Sequence, residues 1–171
     1  AIAILLALAS PDEIQILALT TVAGDVPILD MADLAGLNPT MEDARKVIKA
    51  ALPELDTELE RLGVRIVAVY PNPAQVFFCN KPISGLADLR GKRIRTFGPS
   101  LSDLVKALGG QAVSISFGEV YSSLERGVID CANSGSGSGN AAKWYEVSTH
   151  LYTLPVGWST MAYYANVAWW K

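Results

Sequence analysis

The apolar residues of this chain recur with two different spacings. Residues 14–20, which read IQILALT, form a short apolar run and predict a buried strand. Farther along, Thr40 stands at a position typical of a helix cap, and apolar residues at helical spacing follow it as far as Gly63. This second pattern predicts a long amphipathic helix, which Pro53 should kink or split into two helices.

After Gly63 the spacing becomes shorter, and strands alternate with short helices. The apolar runs predict strands at residues 64–70, 75–79, 92–96, 112–115, 128–132, 150–154 and 159–166, with a turn at 71–73. Short helices are predicted at residues 100–108 and 116–124, and a further helix is predicted to begin at residue 167. This alternation predicts an α/β domain with a largely parallel sheet and flanking helices.

Two segments allow alternative interpretations. Residues 1–9 are apolar and predict either a buried helix ended by Ser10 and Pro11, or the remnant of a secretion signal with a small-residue cleavage site at 7–9. Because position 1 is not Met, we expect the chain to be a fragment. Residues 133–140, which read NSGSGSGN, predict either an ordered loop that faces a ligand or a flexible linker.

The composition excludes several classes of protein. The chain has 171 residues, about one domain, and half of them are hydrophobic, so it is not intrinsically disordered. Fourteen Lys and Arg against 17 Asp and Glu leave a net charge of −3, so no nucleic-acid partner is expected. Cys79, Cys131 and the single His150 are too few for a disulfide framework, a four-ligand zinc site or a multi-histidine site. We expect no metal, no cofactor and no bilayer-spanning segment.

Six segments, in a fixed order, carry a resemblance to a known family. They read DMADLAGL at 30–37, KPI at 81–83, LRGKRIR at 89–95, EVYSSLERGVID at 119–130, KWYEV at 143–147 and NVAWW at 166–170. Together they resemble the landmarks of the TRAP-transporter solute-binding proteins, the DctP family, from about residue 24 to the end. Cys131 departs from the family pattern, which has Gly after the aspartate.

The first part of the chain resembles a different family. Residues 1–24 are similar to the segment that follows the calcium-binding aspartates of the nucleoside hydrolases, and Asp25 stands where that family usually has Asn. The aspartates themselves would precede residue 1, and no other hydrolase landmark follows. We therefore divide the chain into a helix–strand segment of nucleoside-hydrolase-like sequence at 1–27 and a partial TRAP solute-binding domain at 28–171.

The resemblance to TRAP solute-binding proteins implies a periplasmic-binding-protein-like fold of two lobes, here incomplete, that closes on a small organic acid. It also implies that Arg95 binds the carboxylate of the ligand. The position of Arg95 favours the same role, because it lies near the carboxyl end of a predicted strand and close to a predicted helix start at Ser100. Arg93, two residues earlier, is interpreted as a solvated surface charge.

Further ligand contacts are expected around Arg95. The resemblance implies that Asn133 and Ser134 provide polar contacts, because they follow the predicted strand at 128–132. Phe78 and Trp158 are candidates for the walls of the cleft, with core packing as the alternative for both.

Other chemistry-bearing residues have simpler explanations. Glu119 and Asp130 could form a carboxylate pair for acid–base catalysis, but a helix cap and a strand-end turn explain them without it. His150 has no paired Ser or Cys motif and is interpreted as structural. No catalytic residue is predicted.

The resemblance to TRAP solute-binding proteins implies a periplasmic solute-binding component of a TRAP-type importer, which captures a small carboxylate solute and delivers it to TRAP membrane subunits. No bond is made or broken in this activity. We also expect self-association, because an incomplete cleft exposes an apolar face. Two alternatives are a nucleoside hydrolase remnant and a fused fragment that retains no activity.

Overall fold

The computed structural model describes residues 12–170 of the chain. The strands in this part are β1 (Gln15–Ala18), β2 (Val64–Cys79), β3 (Arg93–Thr96), β4 (Gln111–Ser114), β5 (Cys131–Gly135), β6 (His150–Tyr152) and β7 (Trp158–Asn166). The α-helices are α1 (Met41–Arg61), α2 (Pro99–Ala107), α3 (Val120–Glu125) and α4 (Ser136–Ala141). Short 3-10 segments lie at Leu19–Val22, Pro27–Asp33, Leu86–Leu89, Phe117–Glu119 and Trp144–Glu146. The alternatives for residues 1–9 fall outside the described residues.

The strands are ordered β1-β7-β2-β5-β3-β4, and β6 pairs with β2 as well. The expected α/β class with flanking helices is confirmed, but the sheet is mixed and the expectation that it is largely parallel is wrong. Among the described strands, parallel pairing is confined to β3 with β4 and β3 with β5. The reason is that β3, β4 and β5 lie side by side and are connected through helices α2 and α3, which allows them to run parallel, whereas β1, β2, β6 and β7 pair antiparallel.

Strand β2 is a single element of 16 residues where the sequence predicts two strands and a turn. Pro71 lies opposite Thr160 of β7, and the pairing shifts register between Ile66 and Ala68 and again between Pro71 and Ala74. Proline cannot donate a ladder hydrogen bond, and it is tolerated in a sheet at such irregular positions. The proline pair therefore marks a bulge within one strand rather than a chain reversal.

Helix α1 is also continuous, although Pro53 lies inside it. Thr40 caps its first turn, because its side-chain oxygen accepts a hydrogen bond from the backbone N–H of Asp43 at 3.1 Å. Gly63 follows the end of the helix with a φ of 79°, as expected for a helix stop. Buried apolar residues lie on both sides of Pro53 and hold the helix against the sheet: Ala44, Ile48, Ala51, Leu55 and Leu59.

The glycine- and serine-rich segment is neither an ordered loop nor a flexible linker, because it forms the end of a strand and a helix. Strand β5 begins at Cys131, three residues later than predicted, and helix α4 follows it directly. The expected helix from residue 167 is also wrong, because residues 167–169 form a turn. Hydrophobic periodicity does not resolve either segment, since one lacks apolar side chains and the other is too short.

Strand β2 belongs to two lobes, each with its own core. The first lobe contains β1, β7, α1, the 3-10 segments between residues 19 and 33, and the first half of β2, and its core is built around Leu19, Leu29, Leu55 and Leu59. The second lobe contains β3 to β6, α2 to α4 and the second half of β2. Alternate residues of β2 there face two clusters, with Phe77 in one and Phe78 in the other.

A disulfide joins two central strands of the second lobe. Cys79 of β2 and Cys131 of β5 lie directly opposite each other, with their Cα atoms 4.1 Å apart, and both are fully buried. The composition excluded a disulfide framework but left this single bridge unforeseen. Within residues 12–170, no helix is both long and apolar enough to cross a bilayer.

Candidate functional site

A cleft of about 670 Å³ lies between the two lobes. The first lobe lines it with β1 and with Thr21, Ser159 and Met161, and β2 adds Asn72 and Gln75. The second lobe lines it with residues of β3, β4, β5 and α4 and of the segments that follow β3 and β4: Arg95, Thr96, Phe97, Ser114, Ile115, Ser116, Phe117, Ser134 and Ser138. Its size is typical of a pocket for a small molecule.

The position of the cleft follows from the parallel part of the sheet. The carboxyl ends of β3, β4 and β5 meet at one edge, and each of these ends contributes residues to the cleft. In open α/β sheets this edge is where ligands bind, because loops and helix starts converge there. The sequence-based expectation that Arg95 lies at such an edge is therefore met by the geometry of β3.

Arg95 is the charged side chain of this cleft, and it is 5% exposed. Its Nε donates to the carbonyl oxygen of Ile115 at 3.0 Å, and its Nη1 donates to that of Asn133 at 2.9 Å. The guanidinium carbon lies 5.4 Å from the centre of the Phe97 ring. These contacts fix the guanidinium in place and leave Nη2 without a hydrogen-bond partner in the described part of the chain.

The charge of Arg95 is not balanced by an acid within residues 12–170. Burial alone lowers the pKa of Arg95 to about 10, with no opposing contribution from a carboxylate. The group stays protonated at neutral pH, so the cleft holds a desolvated positive charge. A ligand carboxylate could accept two parallel hydrogen bonds from such a fork.

Arg93 has a different environment, although it lies two residues away on the same strand. Its Nε and Nη2 each donate to an oxygen of Asp130 at 3.1 Å, and Lys81 contacts the same carboxylate at 2.9 Å. The side chain of Arg93 therefore forms an ion pair, where the sequence predicted a solvated charge. The Arg93 side chain holds the pKa of the Asp130 carboxyl well below its usual range.

A second, smaller cavity of about 20 Å³ adjoins the cleft, and Gln75 and Ser159 line both. Asn133 and Trp158 line this smaller cavity. The Asn133 side chain donates to the carbonyl of Val76 at 3.2 Å, while its buried Oδ1 has no partner among the described residues. Of the polar pair predicted to contact ligand, Ser134 thus lies in the cleft, and Asn133 presents only its backbone carbonyl to Arg95.

An aspartate also lines the smaller cavity. Asp33 accepts a hydrogen bond from the backbone N–H of Thr160 at 2.6 Å, but its buried Oδ2 has no partner in the described part of the chain. Desolvation raises the pKa of Asp33 to about 7 in spite of that hydrogen bond. The first lobe therefore places a poorly compensated carboxyl group beside the cleft.

Phe78 lies away from both cavities. Its ring packs edge-on against Trp144 with the ring centres 5.4 Å apart, in one of the two cores of the second lobe. A Cβ placed on Gly139 would clash with the Phe78 ring, which explains why position 139 of α4 is glycine. Core packing, the alternative considered for Phe78, is what the structure shows.

The helix start near Arg95 is already occupied by a side chain of the protein. The backbone N–H of Ser100, in the first turn of α2, donates to Asp30 at 3.0 Å, and Thr20 donates to the other oxygen of the same carboxylate. The Ser100 amide at the predicted helix start is therefore not available to a ligand beside Arg95. Asp30 instead connects the first lobe to the second.

The sequence analysis missed three residues that line the cleft. Gln75 is 5% exposed, and its amide donates to Ser159 at 3.1 Å and to the carbonyl of Pro73 at 3.0 Å. Asn72 stands between the two prolines of the β2 bulge, and a polar residue held between prolines was the available signal. Phe117 is 43% exposed at the cleft and contacts the Trp144 ring.

Catalytic and metal-binding groups do not converge in the described part of the chain. No cluster of three or more His, Cys, Asp or Glu side chains suited to a metal ion occurs there. Asp130 is engaged by Arg93 and Lys81, and Glu119 accepts a hydrogen bond from Ser116 at 2.5 Å. His150 is exposed on β6 beside Thr149.

Two lobes that share a long strand, with a cleft at the carboxyl ends of parallel strands, define a periplasmic-binding-protein-like fold. The family model for bacterial extracellular solute-binding protein, family 7 (DctP) matches residues 8–171. The chain belongs to this family.

Individual relatives agree with the family match. The ectoine-binding periplasmic protein TeaA of Halomonas elongata is 34% identical over 131 residues, which cover 72% of this chain and 36% of that protein. A TRAP solute-binding protein of Desulfovibrio salexigens with bound orotic acid is 27% identical with a TM-score of 0.83, over 92% of this chain and 52% of that one.

A more distant structure matches nearly the whole chain. The TRAP solute-binding protein of Anaerococcus prevotii with bound D-glucuronate has a TM-score of 0.86 and 22% identity, over 98% of this chain and 56% of that one. This likeness supports the fold. The chain thus spans roughly a third to just over half of the length of these relatives.

The N-terminal segment shares the family match. The family model begins at residue 8, and β1 pairs with β7 in the first lobe. The comparisons give no support to the resemblance between residues 1–24 and the nucleoside hydrolases. The division of the chain at residue 27 stays a prediction.

Proposed function

We propose that this chain is the solute-binding component, or a part of it, of a TRAP-type importer in the periplasm. It captures a small organic acid in the cleft between its lobes and delivers it to the membrane subunits of the importer. It acts by binding alone, so a bound solute is released chemically unchanged.

The observation that carries this proposal is the buried and unbalanced charge of Arg95. A buried cation without a counter-ion is costly, and a ligand carboxylate relieves that cost when it enters the cleft. The two backbone carbonyls and the Phe97 ring hold the guanidinium before the ligand arrives. A pre-organised fork of this kind loses little conformational entropy on binding.

The relatives support the same chemistry. The D. salexigens protein binds orotic acid and the A. prevotii protein binds D-glucuronate, and both names describe acids. Ser134 lies beside Arg95 on the neighbouring strand β5, where its hydroxyl can assist in binding. Trp158 and Asn133 line the smaller cavity that adjoins the cleft, so we expect their side chains to affect ligand binding only indirectly.

Calorimetric titration of orotate and D-glucuronate tests the proposal. We expect Arg95→Ala to weaken binding of a carboxylate by at least about 25-fold, from a loss of roughly 2–5 kcal/mol for an unpaired buried partner. Arg95→Lys keeps the charge but loses the fork, and it should recover only part of the affinity.

Arg93→Ala is the matched control, because Arg93 lies on the same strand but is paired with Asp130. Its affinity should stay within about threefold of the unmodified protein. The proposal is contradicted if Arg95→Ala is silent, if Arg93→Ala abolishes binding, or if no acid binds to the unmodified protein.

We also propose that the isolated chain self-associates. Ile14 and Ile16, beside and within the edge strand β1, are 42% and 51% exposed. An exposed apolar edge strand is a template for pairing with another chain. Size-exclusion chromatography that shows a compact monomer at all concentrations would contradict this expectation.

A further inference from the structure

We propose that Asp30 is a positioning residue that fastens the two lobes together by capping helix α2 from the opposite lobe, and that it thereby slows the release of a bound solute. The contact that we call the interlobe latch is formed by Thr20, Asp30, Gly98 and Ser100. The inference concerns how long the cleft stays closed and not which solute it holds. It rests on the proposed function only for its effect on solute release.

The interlobe latch joins the 3-10 segments of the first lobe to the start of α2 in the second lobe. One carboxylate oxygen of Asp30 accepts a hydrogen bond from the backbone N–H of Ser100 at 3.0 Å, and the other accepts one from the Thr20 hydroxyl. Both side chains are buried, and Asp30 lines neither cavity. A buried hydrogen bond to an ionised group is stronger than one between neutral groups, and the carboxylate also faces the positive end of the helix dipole.

Helix α2 has no side-chain cap of its own. Its N-cap residue is Gly98, which has no side chain, and Pro99 follows it without a backbone N–H. A Cβ placed on Gly98 would clash with the Thr20 side chain of the first lobe. The glycine therefore lets the first lobe approach and leaves the Ser100 amide to Asp30. The cap of α2 exists only while the two lobes are in contact.

The irregular pairing of β2 supplies a hinge between the lobes. The strand passes from the first lobe to the second at the bulge between Pro71 and Ala74, where its register against β7 shifts. The ladder of hydrogen bonds is disrupted at a bulge, and lobes linked through a few such residues can open and close by rotation about them. Opening at this bulge would move Ser100 away from Asp30 and break the interlobe latch.

The latch and the proposed ligand-binding arginine share one short segment of the chain. Arg95 lies on β3, Phe97 contacts its guanidinium, and Ser100 lies in the first turn of α2 just beyond. A carboxylate bound to Arg95 lies between the lobes, so it favours the same closed arrangement that forms the latch. Two contacts that favour one arrangement stabilise it together, and the solute leaves when both are broken. Loss of the latch should therefore act mainly on the rate of release.

Stopped-flow measurement of the release of D-glucuronate or orotate tests this effect. We expect Asp30→Ala to release the solute at least about tenfold faster, with an association rate constant within about threefold of that of the unmodified protein. Thr40→Ala is the matched control, because Thr40 caps α1 within the first lobe and its loss leaves the lobes connected. This control should lower the melting temperature and leave the release rate unchanged.

A repaired variant separates the coupling of the lobes from the capping of the helix. The combination of Asp30→Ala, Thr20→Ala and Gly98→Ser removes the latch, makes room for a side chain at position 98 and gives α2 a cap from its own chain. We expect its melting temperature to exceed that of Asp30→Ala with Thr20→Ala, while its release stays at least about tenfold faster than in the unmodified protein. If the repaired variant releases the solute as slowly as the unmodified protein, Asp30 only caps α2 and the inference is wrong.

A measurement without solute separates this inference from the proposed function. Glu54 on α1 and Lys106 on α2 are exposed, so Glu54→Cys and Lys106→Cys can carry spin labels on opposite lobes, while the two native cysteines stay joined in the buried disulfide. Double electron–electron resonance should show longer distances between the labels after Asp30→Ala and unchanged distances after Thr40→Ala.

The outcomes are distinct. The inference is overturned if Asp30→Ala leaves the distances between the labels unchanged, or if it releases the solute at the unmodified rate. If the distances lengthen but neither orotate nor D-glucuronate binds to the unmodified protein, the interlobe latch stands and the proposed function is contradicted.

Discussion

The neighbouring strands β2, β5 and β3 carry different interactions at their two ends. At the anchored end, defined by Cys79, Arg93, Asp130 and Cys131, a disulfide joins β2 to β5 and an ion pair joins β3 to the start of β5. At the cleft end, defined by Gln75, Arg95, Asn133 and Ser134, Arg95 is buried with backbone carbonyls as its only hydrogen-bond partners in the described chain.

The two arginines show what this difference teaches. They lie two residues apart on β3. The burial of an arginine does not by itself tell whether the arginine has a structural role or a binding role, but the presence of a carboxylate partner within the protein does. Where the protein supplies its own carboxylate, as Asp130 does for Arg93, the cation stabilises the fold, and where it supplies none, the cation is available to a ligand.

The largest expected effect comes from breaking the covalent link at the anchored end. The combined variant Cys79→Ala and Cys131→Ala should lower the free energy of unfolding by about 4 kcal/mol, because the bridge closes a loop between residues 52 apart in sequence. Denaturant unfolding measures the loss. Ligand affinity of the folded variant should stay within about threefold, because the bridge lies away from the cleft.

Reduction provides the matched control for the disulfide. A reductant that reaches the bridge should lower the stability of the unmodified protein toward that of the double variant and leave the variant unchanged. Equal stability of the two proteins under oxidising conditions would show that the anchored end does not depend on the bridge.

The next largest effect concerns the pH dependence of stability, which a buried aspartate near each end of these strands should change. Because the pKa of Asp33 is raised from 3.8 to about 7, the folded chain binds this proton more tightly than the unfolded chain, and stability falls as the pH rises from about 4 to 7. Asp33→Asn keeps an oxygen that can accept the hydrogen bond from the Thr160 N–H, and it should remove this fall in stability with pH. At pH 8 we expect a gain on the order of 3 kcal/mol in the free energy of unfolding.

Asp130→Asn should behave in the opposite way. The pKa of Asp130 is held well below 3.8 by Arg93, so its ionised form stabilises the fold above about pH 4, and this contribution is lost as the pH falls. The variant should lose about 2 kcal/mol at pH 7 and approach the unmodified protein near pH 2. The comparison fails if the two aspartate variants change stability in the same direction at pH 8.

The smallest expected effect concerns the two arginines without ligand. Arg93→Met should lower the free energy of unfolding by about 1 kcal/mol, because it removes a half-exposed ion pair. Arg95→Met loses two hydrogen bonds but also removes an unpaired buried charge, so its stability should not fall below that of Arg93→Met. Thermal melting of both variants measures this difference. A lower melting temperature for Arg95→Met than for Arg93→Met would show that Arg95, rather than Arg93, contributes more to the stability of the fold.

Local signals in the sequence predicted much of the second lobe. Gly109 and Gly127 end their helices with φ values of 79° and 65°, and the strand that carries Arg95 lies where its apolar pattern placed it. Glycine stops and short apolar runs depend on neighbouring residues, so they can be interpreted without knowledge of the tertiary structure.

Features that depend on distant partners were missed. The continuity of β2 through Pro71 and Pro73 comes from its pairing with β7, and the Cys79–Cys131 bridge comes from the register of β2 against β5. The pairing of Arg93 with Asp130 likewise joins residues 37 apart. No periodicity within a short window encodes which strand lies next to which.

The pairing of β1 with β7 has a consequence for the order in which the lobes assemble. Gln15 lies opposite Tyr164, so the sheet of the first lobe closes only after nearly the whole described chain has been synthesised and brought back on itself. In the second lobe β3 and β4 pair residues 18 apart, as Arg93 with Gln111. Contacts between distant residues form slowly, because loop-closure entropy opposes them before any pairing energy is gained. The half of the cleft that carries Arg95 is therefore expected to fold early, and the opposite wall, from the first lobe, is expected to fold last.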